Sequence, residues 1–218
     1  MRLSRLLPVA LAALVFAPAA RADDTEEFLK ADNWEGRKDI WKIDPKTKTV
    51  VGETMEDPKY NTFFISKKKY SDFEMTFKVQ LREAVGNSGV QIRSERTDKD
   101  DPANKQPFRV RGPQVDVGKG YWGSLYGEGV GGMMKASSPD AIKKAVKETE
   151  WNEYHIVAKG TKITIKINGE TMVDQDFPKL PGKDAKDAPK DGIIAFQAHG
   201  GYAKMRVEYK DIVFKVLK

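Results

Sequence analysis

Apolar and polar residues alternate along much of this 218-residue chain. From Phe73 to Leu81 every second position is apolar, and the positions between are polar or charged. The same alternation runs through residues 163–167 and ends at Asn168-Gly169. A period of two is typical of a strand with one buried face, and Asn-Gly accommodates the positive φ angles of a tight hairpin turn. We therefore predict a strand at 73–81 and a hairpin that returns over residues 170–174.

Three further strands are predicted at residues 154–159, 192–199 and 203–216. In the last of them the apolar positions change parity near Lys210-Asp211, which a bulge or bend would explain. Many strands, antiparallel turn signals and almost no helix favour two sheets packed face to face, because that arrangement buries both apolar faces. The expected fold is an all-β, two-sheet antiparallel sandwich.

Helical character is confined in this interpretation to residues 139–148. Ser138 can cap the first turn, Pro139 suits its first position, and Ile142 and Val146 lie one turn apart. We expect a short helical insertion there. Residues 178–191, rich in proline, glycine and charge, are expected to form a surface loop, so residues 23–218 make a single domain.

The first 22 residues have the pattern of a signal peptide. Arg2 and Arg5 precede an apolar run over residues 6–20, which two prolines interrupt, and small residues at Ala20 and Ala22 suit cleavage. The alternative is an uncleaved membrane anchor. The chain has no cysteine, which excludes a lipid-modified cysteine and a disulfide scaffold. We expect cleavage after Ala22, a periplasmic or secreted protein, and no transmembrane segment in the mature chain.

Charge adds little to this picture. The formal net charge is +6, but three of the arginines lie in the leader, so the mature chain has only a small positive excess. The compact run Lys67-Lys68-Lys69 is expected at a solvated strand edge, and nucleic acid is not an expected partner. Nucleophile-elbow, phosphate-loop, zinc and dinucleotide motifs do not occur in the sequence.

Two glycine-rich segments put polar side chains on the strand face turned away from the core. In residues 86–93, Gln91 and Arg93 are expected side by side, with Asn87 at the turn beneath them. In residues 112–118, Gln114 and Asp116 share one face. A tight hairpin with a wet face is the alternative interpretation of the first segment.

Aromatic residues follow the second segment. Tyr121, Trp122 and Tyr126 come shortly before Glu128. Polar groups that bind hydroxyls, beside rings that stack on C–H faces, suit a sugar, whereas aromatic packing at a strand end explains these residues equally well.

A third segment, residues 192–201, places Gln197 and His199 on one face. His199 could be a base, a metal ligand or a hydrogen-bond donor, or it could have only a structural role. Asp98, Asp100 and Asp101 form an acidic loop whose spacing is not that of an EF-hand; it is expected to be solvated, although calcium could bind there.

Several motifs occur in an order that resembles the 3-keto-disaccharide hydrolase domain family, a concanavalin-like jelly-roll sandwich. They are Trp34, Trp41-Lys42-Ile43, the Tyr70 to Glu74 run, the Asn87 to Arg93 run, Gln114-Val115-Asp116, Gly123-Ser124-Leu125-Tyr126, Trp151-Asn152, Asn168-Gly169 and Gln197-Ala198-His199. The chain departs from the family pattern at Trp122-Gly123-Ser124, where relatives often have Thr-Gly-Ala, and in the helical insertion.

The resemblance implies cleavage of glycosides or disaccharides whose sugar is oxidised to a ketone at C3, with a small carbohydrate as the partner. His199, Asp116 or Glu128 would be the base that removes the acidified C2 proton. Arg93 or a divalent cation such as calcium would stabilise the enolate, and the C1 leaving group would depart before water adds. The expected substrate-binding residues are Asn87, Gln91, Arg93, Gln114, Tyr121, Trp122, Tyr126 and Gln197.

Two other classes stay open at this point: a carbohydrate-binding module without catalysis, and a structural domain of the cell envelope. The enzymatic hypothesis requires five distant side chains to meet on one concave surface: Arg93, Gln114, Asp116, Gln197 and His199.

Overall fold

The protein is described by a computed structural model that covers residues 22–97, 106–182 and 186–218. The strands in chain order are β1 (Trp34–Glu35), β2 (Trp41–Asp44), β3 (Thr49–Glu53), β4 (Thr62–Tyr70), β5 (Phe73–Leu81), β6 (Asn87–Arg96), β7 (Val110–Gly118), β8 (Leu125–Glu128), β9 (Gly132–Lys135), β10 (Asn152–Lys159), β11 (Lys162–Ile167), β12 (Glu170–Asp176), β13 (Gly192–Ala198) and β14 (Arg206–Val216). They form two sheets of seven strands each, in the orders β1-β4-β13-β6-β7-β8-β9 and β12-β11-β10-β5-β14-β3-β2. The predicted all-β sandwich is confirmed.

The second sheet follows the alternation in the sequence closely. Every apolar residue of β5 from Phe73 to Leu81 is at most 1% exposed, while the residues between them are only partly buried. The hairpin between β11 and β12 turns at Asn168 and Gly169, whose φ angles are 50° and 83°. In β14 the register with β5 shifts between Lys210 and Val213, and Asp211 has a φ of 53°, which confirms the predicted bulge.

The first sheet has two different faces, and this difference positions the site. Its inner face packs on the second sheet through buried residues such as Val90, Val115 and Phe196. Its outer face has a small apolar cluster, against which Phe108 packs, of Phe63, Ile65, Val110, Ile193 and Ala195. The outer face also has buried polar side chains, among them Gln91, Gln114 and Gln197.

Two α-helices lie outside the sheets. The predicted one, α2 (Pro139–Ala145), begins as expected, because Ser138 Oγ accepts a hydrogen bond of 3.1 Å from the Ala141 amide. It ends earlier than predicted, since Val146 is already extended. The loop at 178–191 is confirmed in its described part, with one isolated bridge between Lys179 and Asp187.

The other helix, α1 (Ala22–Leu29), corrects the expectation that only residues 139–148 are helical. Its sequence has little apolar periodicity, and tertiary contacts stabilise it. The ring of Phe28 stacks on Phe214 of β14 at 4.1 Å between centroids. Thr25 Oγ1 donates to the Phe214 carbonyl at 3.0 Å and accepts from the Phe214 amide at 2.9 Å.

Some sequence expectations fall outside the described residues. They are the predicted signal peptide, except for Ala22, and the acidic loop of Asp98, Asp100 and Asp101. Both stay predictions. Among the residues that the structure describes, none of the helices has the length and apolar character needed to cross a membrane.

We predict that Thr25→Val lowers the free energy of unfolding by about 2 kcal/mol, because it leaves a buried amide and a buried carbonyl of β14 without partners. Thr171→Val, at an exposed position of β12, is the matched control and should change stability by less than about 0.5 kcal/mol. Urea unfolding of both variants measures the difference. Equal stabilities of the two variants would show that the hydrogen bonds of Thr25 do not stabilise the packing of α1 on β14.

Candidate functional site

A cleft of about 360 Å³ opens on the polar part of the outer face of the first sheet. Its lining includes most of the predicted site residues: Asn87, Gln114, Asp116, Tyr121, Tyr126, Glu128, Gln197 and His199. Asn61, Gly129 and Tyr202 complete it. Four of the five side chains on which the enzymatic hypothesis depends therefore meet at one place.

Strand register brings these residues together. On β6 and β7, Gly89 pairs with Asp116 and Gln91 pairs with Gln114. A Cβ atom at Gly89 would lie 2.7 Å from Cγ of Gln114, so only a glycine leaves room for the Gln114 side chain to lie across β6. In this position Gln114 Nε2 reaches Oε1 of Gln197 on β13 at 3.2 Å.

The cleft floor is a network of buried amides around one carboxyl group. Gln114 Nε2 donates to Asp116 Oδ1 at 2.8 Å, and Gln91 Nε2 donates to Gln114 Oε1 at 2.9 Å. Within the described ranges, Nε2 of the fully buried Gln197 has no hydrogen-bond partner. An unpaired donor of this kind costs free energy unless a ligand accepts from it.

Asp116 is the most perturbed acid of the cleft. It is only 3% exposed, and burial raises its pKa from 3.8 to about 7. The hydrogen bond from Gln114 opposes this rise, and the negative charge of Glu128 adds to it. A carboxyl group that titrates near neutral pH can both take and release a proton under physiological conditions.

His199 and Glu128 also line the cleft. His199 Nδ1 lies 2.5 Å from the Gly200 carbonyl, and since a carbonyl only accepts, Nδ1 carries the proton and Nε2 stays available. Asn61 links Glu128 to the backbone next to His199: its Nδ2 donates to Glu128 Oε1 at 3.1 Å, and its Oδ1 accepts from the Gly200 amide at 3.1 Å.

Asn61 and Tyr202 escaped the sequence analysis because no local pattern marks them. Asn61 precedes β4, and Tyr202 lies in the loop after β13, with its ring 5.7 Å from that of His199. The two loops meet only in the fold, where the Gly201 amide donates to Asp57 Oδ1 at 2.7 Å. The glycine-rich sequence after His199 is the only signal that pointed to this region.

Arg93 does not join the cleft, which corrects the expectation that it lies beside Gln91. It has a φ of 46°, and the register of β6 shifts between Gln91 and Glu95, so strand alternation is broken at this point. The guanidinium turns toward the second sheet and donates to the Ser71 carbonyl at 2.6 Å and to Asp72 Oδ1 at 2.8 Å. It also donates to the Gly160 carbonyl in the turn between β10 and β11.

Trp122 and Gln91, which were also expected to bind substrate, are not among the residues that line the cleft. Trp122 is 1% exposed and belongs to the core between the sheets, because the turn at Gly123, with a φ of 70°, points it inward. Its neighbour Tyr121 is 46% exposed at the cleft rim. Gln91 is fully buried and affects the cleft only through Gln114.

In the described part of the chain, no three His, Cys, Asp or Glu side chains are grouped in a way that could hold a metal ion. The described residues therefore provide no such cluster for the divalent cation that the resemblance allowed in the site.

Comparison with known proteins agrees with this fold. A proposed glycosyl hydrolase from Parabacteroides distasonis ATCC 8503 is 19% identical, with a TM-score of 0.58 over 87% of this chain and 98% of that one. A Bacillus subtilis protein with a galectin-like fold is 14% identical, with a TM-score of 0.56 over 86% and 92%. Carbohydrate binding module CBM66 from Bacillus subtilis is 12% identical, with a TM-score of 0.55 over 84% and 95%. At these identities the likeness concerns the fold.

No curated protein matches the chain. The model of one family, described as the 3-keto-alpha-glucoside-1,2-lyase-like domain, matches residues 27–215. This chain therefore belongs to the 3-keto-alpha-glucoside-1,2-lyase-like domain family, whose description concerns carbohydrates.

Proposed function

We propose that this protein cleaves glycosides whose sugar carries a ketone at C3, by elimination across C1 and C2 followed by addition of water. The observation that supports this most directly is the buried carboxyl of Asp116, whose pKa of about 7 suits a base at the floor of a polar cleft. Membership of the family supports the substrate class.

The ketone determines what the protein must supply. It acidifies the C2–H bond, so ionised Asp116 can take this proton, and the electron pair moves onto the C3 oxygen as an enolate. When the enolate collapses, the C1–O bond breaks and the leaving oxygen takes a proton. Water then adds to C1 of the unsaturated sugar, its released proton passes to the group that protonated the leaving oxygen, and Asp116 returns its proton to C2. The net reaction is a hydrolysis.

Negative charge on the C3 oxygen needs a hydrogen-bond donor that is already in place. Gln197 Nε2 is such a donor, because it is buried at the cleft floor and lacks a partner within the described residues. Arg93, to which the resemblance gave this role, is engaged with the turns at Ser71 and Gly160.

The remaining cleft residues suit the leaving group. In its imidazolium form, with Nδ1 still bound to the Gly200 carbonyl, His199 can donate its Nε2 proton to the departing oxygen, and Glu128, oriented by Asn61, lines the same cleft. The exposed ring of Tyr121 and the half-buried ring of Tyr126 can stack on the C–H face of a second sugar.

The competing proposal is a carbohydrate-binding domain without catalysis. The tyrosine rim favours it, since aromatic stacking binds sugars whether or not a base is present. A single experiment separates the two proposals.

Purified protein should release the aglycone from a chromogenic 3-keto-glucoside and not from the parent glucoside. Asp116→Asn should lower kcat by about 10²- to 10⁴-fold, because the amide cannot accept the C2 proton. Asp211→Asn, at an exposed acid on the β14 bulge, is the control and should retain full turnover. Undiminished turnover by Asp116→Asn would exclude Asp116 as the base, and binding without product in the wild type would favour the non-catalytic domain.

The pH profile of kcat/KM should have an acid limb near pH 7, falling about tenfold per pH unit below it, because protonated Asp116 cannot act as a base. His199→Ala should lower the rate and keep this limb, since the limb belongs to Asp116. Initial rates between pH 5 and 9 measure both profiles. Loss of the limb in His199→Ala would transfer the role of base to His199.

The same burial should make Asp116 costly to stability. Its folded-state pKa of about 7 lies above its ordinary value of 3.8, so the folded protein keeps a proton that the unfolded chain has lost. Stability therefore falls as the pH rises from about 4 to 7, by up to about 4 kcal/mol. Asp116→Asn should be more stable than the wild type at pH 8 and lose this advantage at pH 4. Thermal unfolding at both pH values tests this, and an equal difference at both would contradict it.

A further inference from the structure

A single chain of hydrogen bonds runs through the first sheet and ends at the cleft. Ser94 Oγ donates to Gln91 Oε1 at 2.6 Å, and Gln91 Nε2 donates to Gln114 Oε1 at 2.9 Å. Gln114 Nε2 then donates to Asp116 Oδ1 at 2.8 Å and to Gln197 Oε1 at 3.2 Å. All five side chains are at most 3% exposed. Every bond points in the same direction, from Ser94 toward the cleft.

The direction of this chain decides what the cleft offers a ligand. A primary amide has one accepting end and one donating end, so turning any one of the three amides over requires its neighbours to turn as well. In the observed direction, the Asp116 carboxylate receives an N–H group, and Gln197 has its N–H end unpaired. In the reverse direction, Gln114 would present a carbonyl oxygen to Asp116, and Gln197 would present a carbonyl oxygen to the ligand.

The chain of hydrogen bonds begins outside the cleft, at Ser94. Among the described residues, its hydroxyl reaches three acceptors: Gln91 Oε1 at 2.6 Å, the Ile92 carbonyl at 3.1 Å and the Pro113 carbonyl at 3.3 Å. The shortest contact is to Gln91, and with the hydroxyl proton on this contact Oε1 of Gln91 faces Ser94 and its Nε2 faces Gln114. The ionised carboxylate of Asp116, which can only accept, favours the same direction at the other end.

Two glycines make room for this arrangement. A Cβ at Gly112, which has a φ of 138°, would lie 2.4 Å from Ser94 Oγ. A Cβ at Gly89 would lie 2.7 Å from Cγ of Gln114. The two glycines therefore leave the space that the side chains of Ser94 and Gln114 occupy.

We propose that Ser94 and Gln91 are positioning residues, which hold Gln197 as a donor directed into the cleft and thereby select a ligand with an acceptor-only group, such as a ketone oxygen, at that point. This inference rests on the proposed function for the identity of the ketone. It identifies Gln197 as the residue that recognises the ketone, and Ser94 and Gln91 as two buried residues that orient Gln197 without contacting the ligand.

The direction of the hydrogen-bond chain can be tested by comparing a ligand that has a ketone with one that has a hydroxyl at the same carbon. A sugar hydroxyl can accept from an N–H or donate to a carbonyl, so it tolerates either direction, whereas a ketone can only accept. Loss of orientation should therefore weaken 3-keto ligands and leave their 3-hydroxy parents nearly unaffected.

The variants are Ser94→Ala, which removes one oxygen, and Gln91→Met, which keeps the side-chain length without hydrogen-bonding groups. The control is Ser66→Ala on β4 of the same sheet. Ser66 is 1% exposed, and its Oγ donates to the Lys68 carbonyl at 2.7 Å and accepts from the Ile194 amide at 2.9 Å. All three variants lose buried hydrogen bonds, but only Ser94→Ala and Gln91→Met interrupt the chain of hydrogen bonds that leads to the cleft.

Three measurements are made on folded protein, checked by circular dichroism. Both variants, Ser94→Ala and Gln91→Met, should lower kcat on a 3-keto-glucoside by about 10- to 100-fold and should also raise KM, because the oriented donor binds the ketone of the substrate as well as the enolate that follows. The acid limb of the pH profile should move to higher pH, since Asp116 loses the bond that lowers its pKa. The affinity for a 3-keto-glucoside divided by the affinity for its parent glucoside, both measured by calorimetry, should fall toward one. Ser66→Ala should change none of the three.

The outcomes separate this inference from the proposed function. If the wild type turns over the ketone and the chain variants behave like Ser66→Ala, the inference is wrong and the function stands. If the wild type does not turn over the ketone but prefers it in binding, and the chain variants abolish this preference, the inference stands without catalysis. If the wild type shows neither turnover nor preference, both are wrong. If one chain variant does not fold, the other gives the same three readings.

Discussion

Strand alternation forces polar side chains of β6, β7 and β13 onto the outer face of the first sheet, and those that are buried there must be hydrogen-bonded. Val90 and Val115 point toward the second sheet, so Gln91 and Gln114 necessarily point away from it. Gln91, Gln114 and Gln197 satisfy most of one another's hydrogen-bonding groups, and one donor of Gln197 is left over. The cleft is therefore a consequence of how the sheet satisfies its buried amides.

The periodic parts of this fold could be read from the sequence. Alternation predicted β5 and the β11–β12 hairpin, and a change of parity predicted the bulge in β14. The same reasoning placed Gln114, Asp116 and Gln197 on a common face, because regular strands fix the side to which each residue points. These predictions needed no knowledge of tertiary contacts.

The parts that could not be predicted depend on single backbone angles or on distant partners. Arg93 leaves the expected face because its φ is positive and β6 shifts register beside it, and nothing in the run around it signals this. Trp122 points inward because of the turn at Gly123. The helix α1 depends on Phe214, almost two hundred residues away along the chain, so its own residues are poor predictors of it.

The displacement of Arg93 has a chemical consequence for the cleft. A guanidinium beside the C3 oxygen would stabilise an enolate, but its charge would also lower the pKa of a neighbouring carboxyl group. Asp116 would then be a weaker base, because its pKa of about 7 depends on burial, to which the negative charge of Glu128 adds. A neutral amide such as Gln197 donates a hydrogen bond without adding charge. The site can therefore keep a strong carboxylate base and a donor for the oxyanion within one small cleft, provided that the direction of the amide chain is fixed.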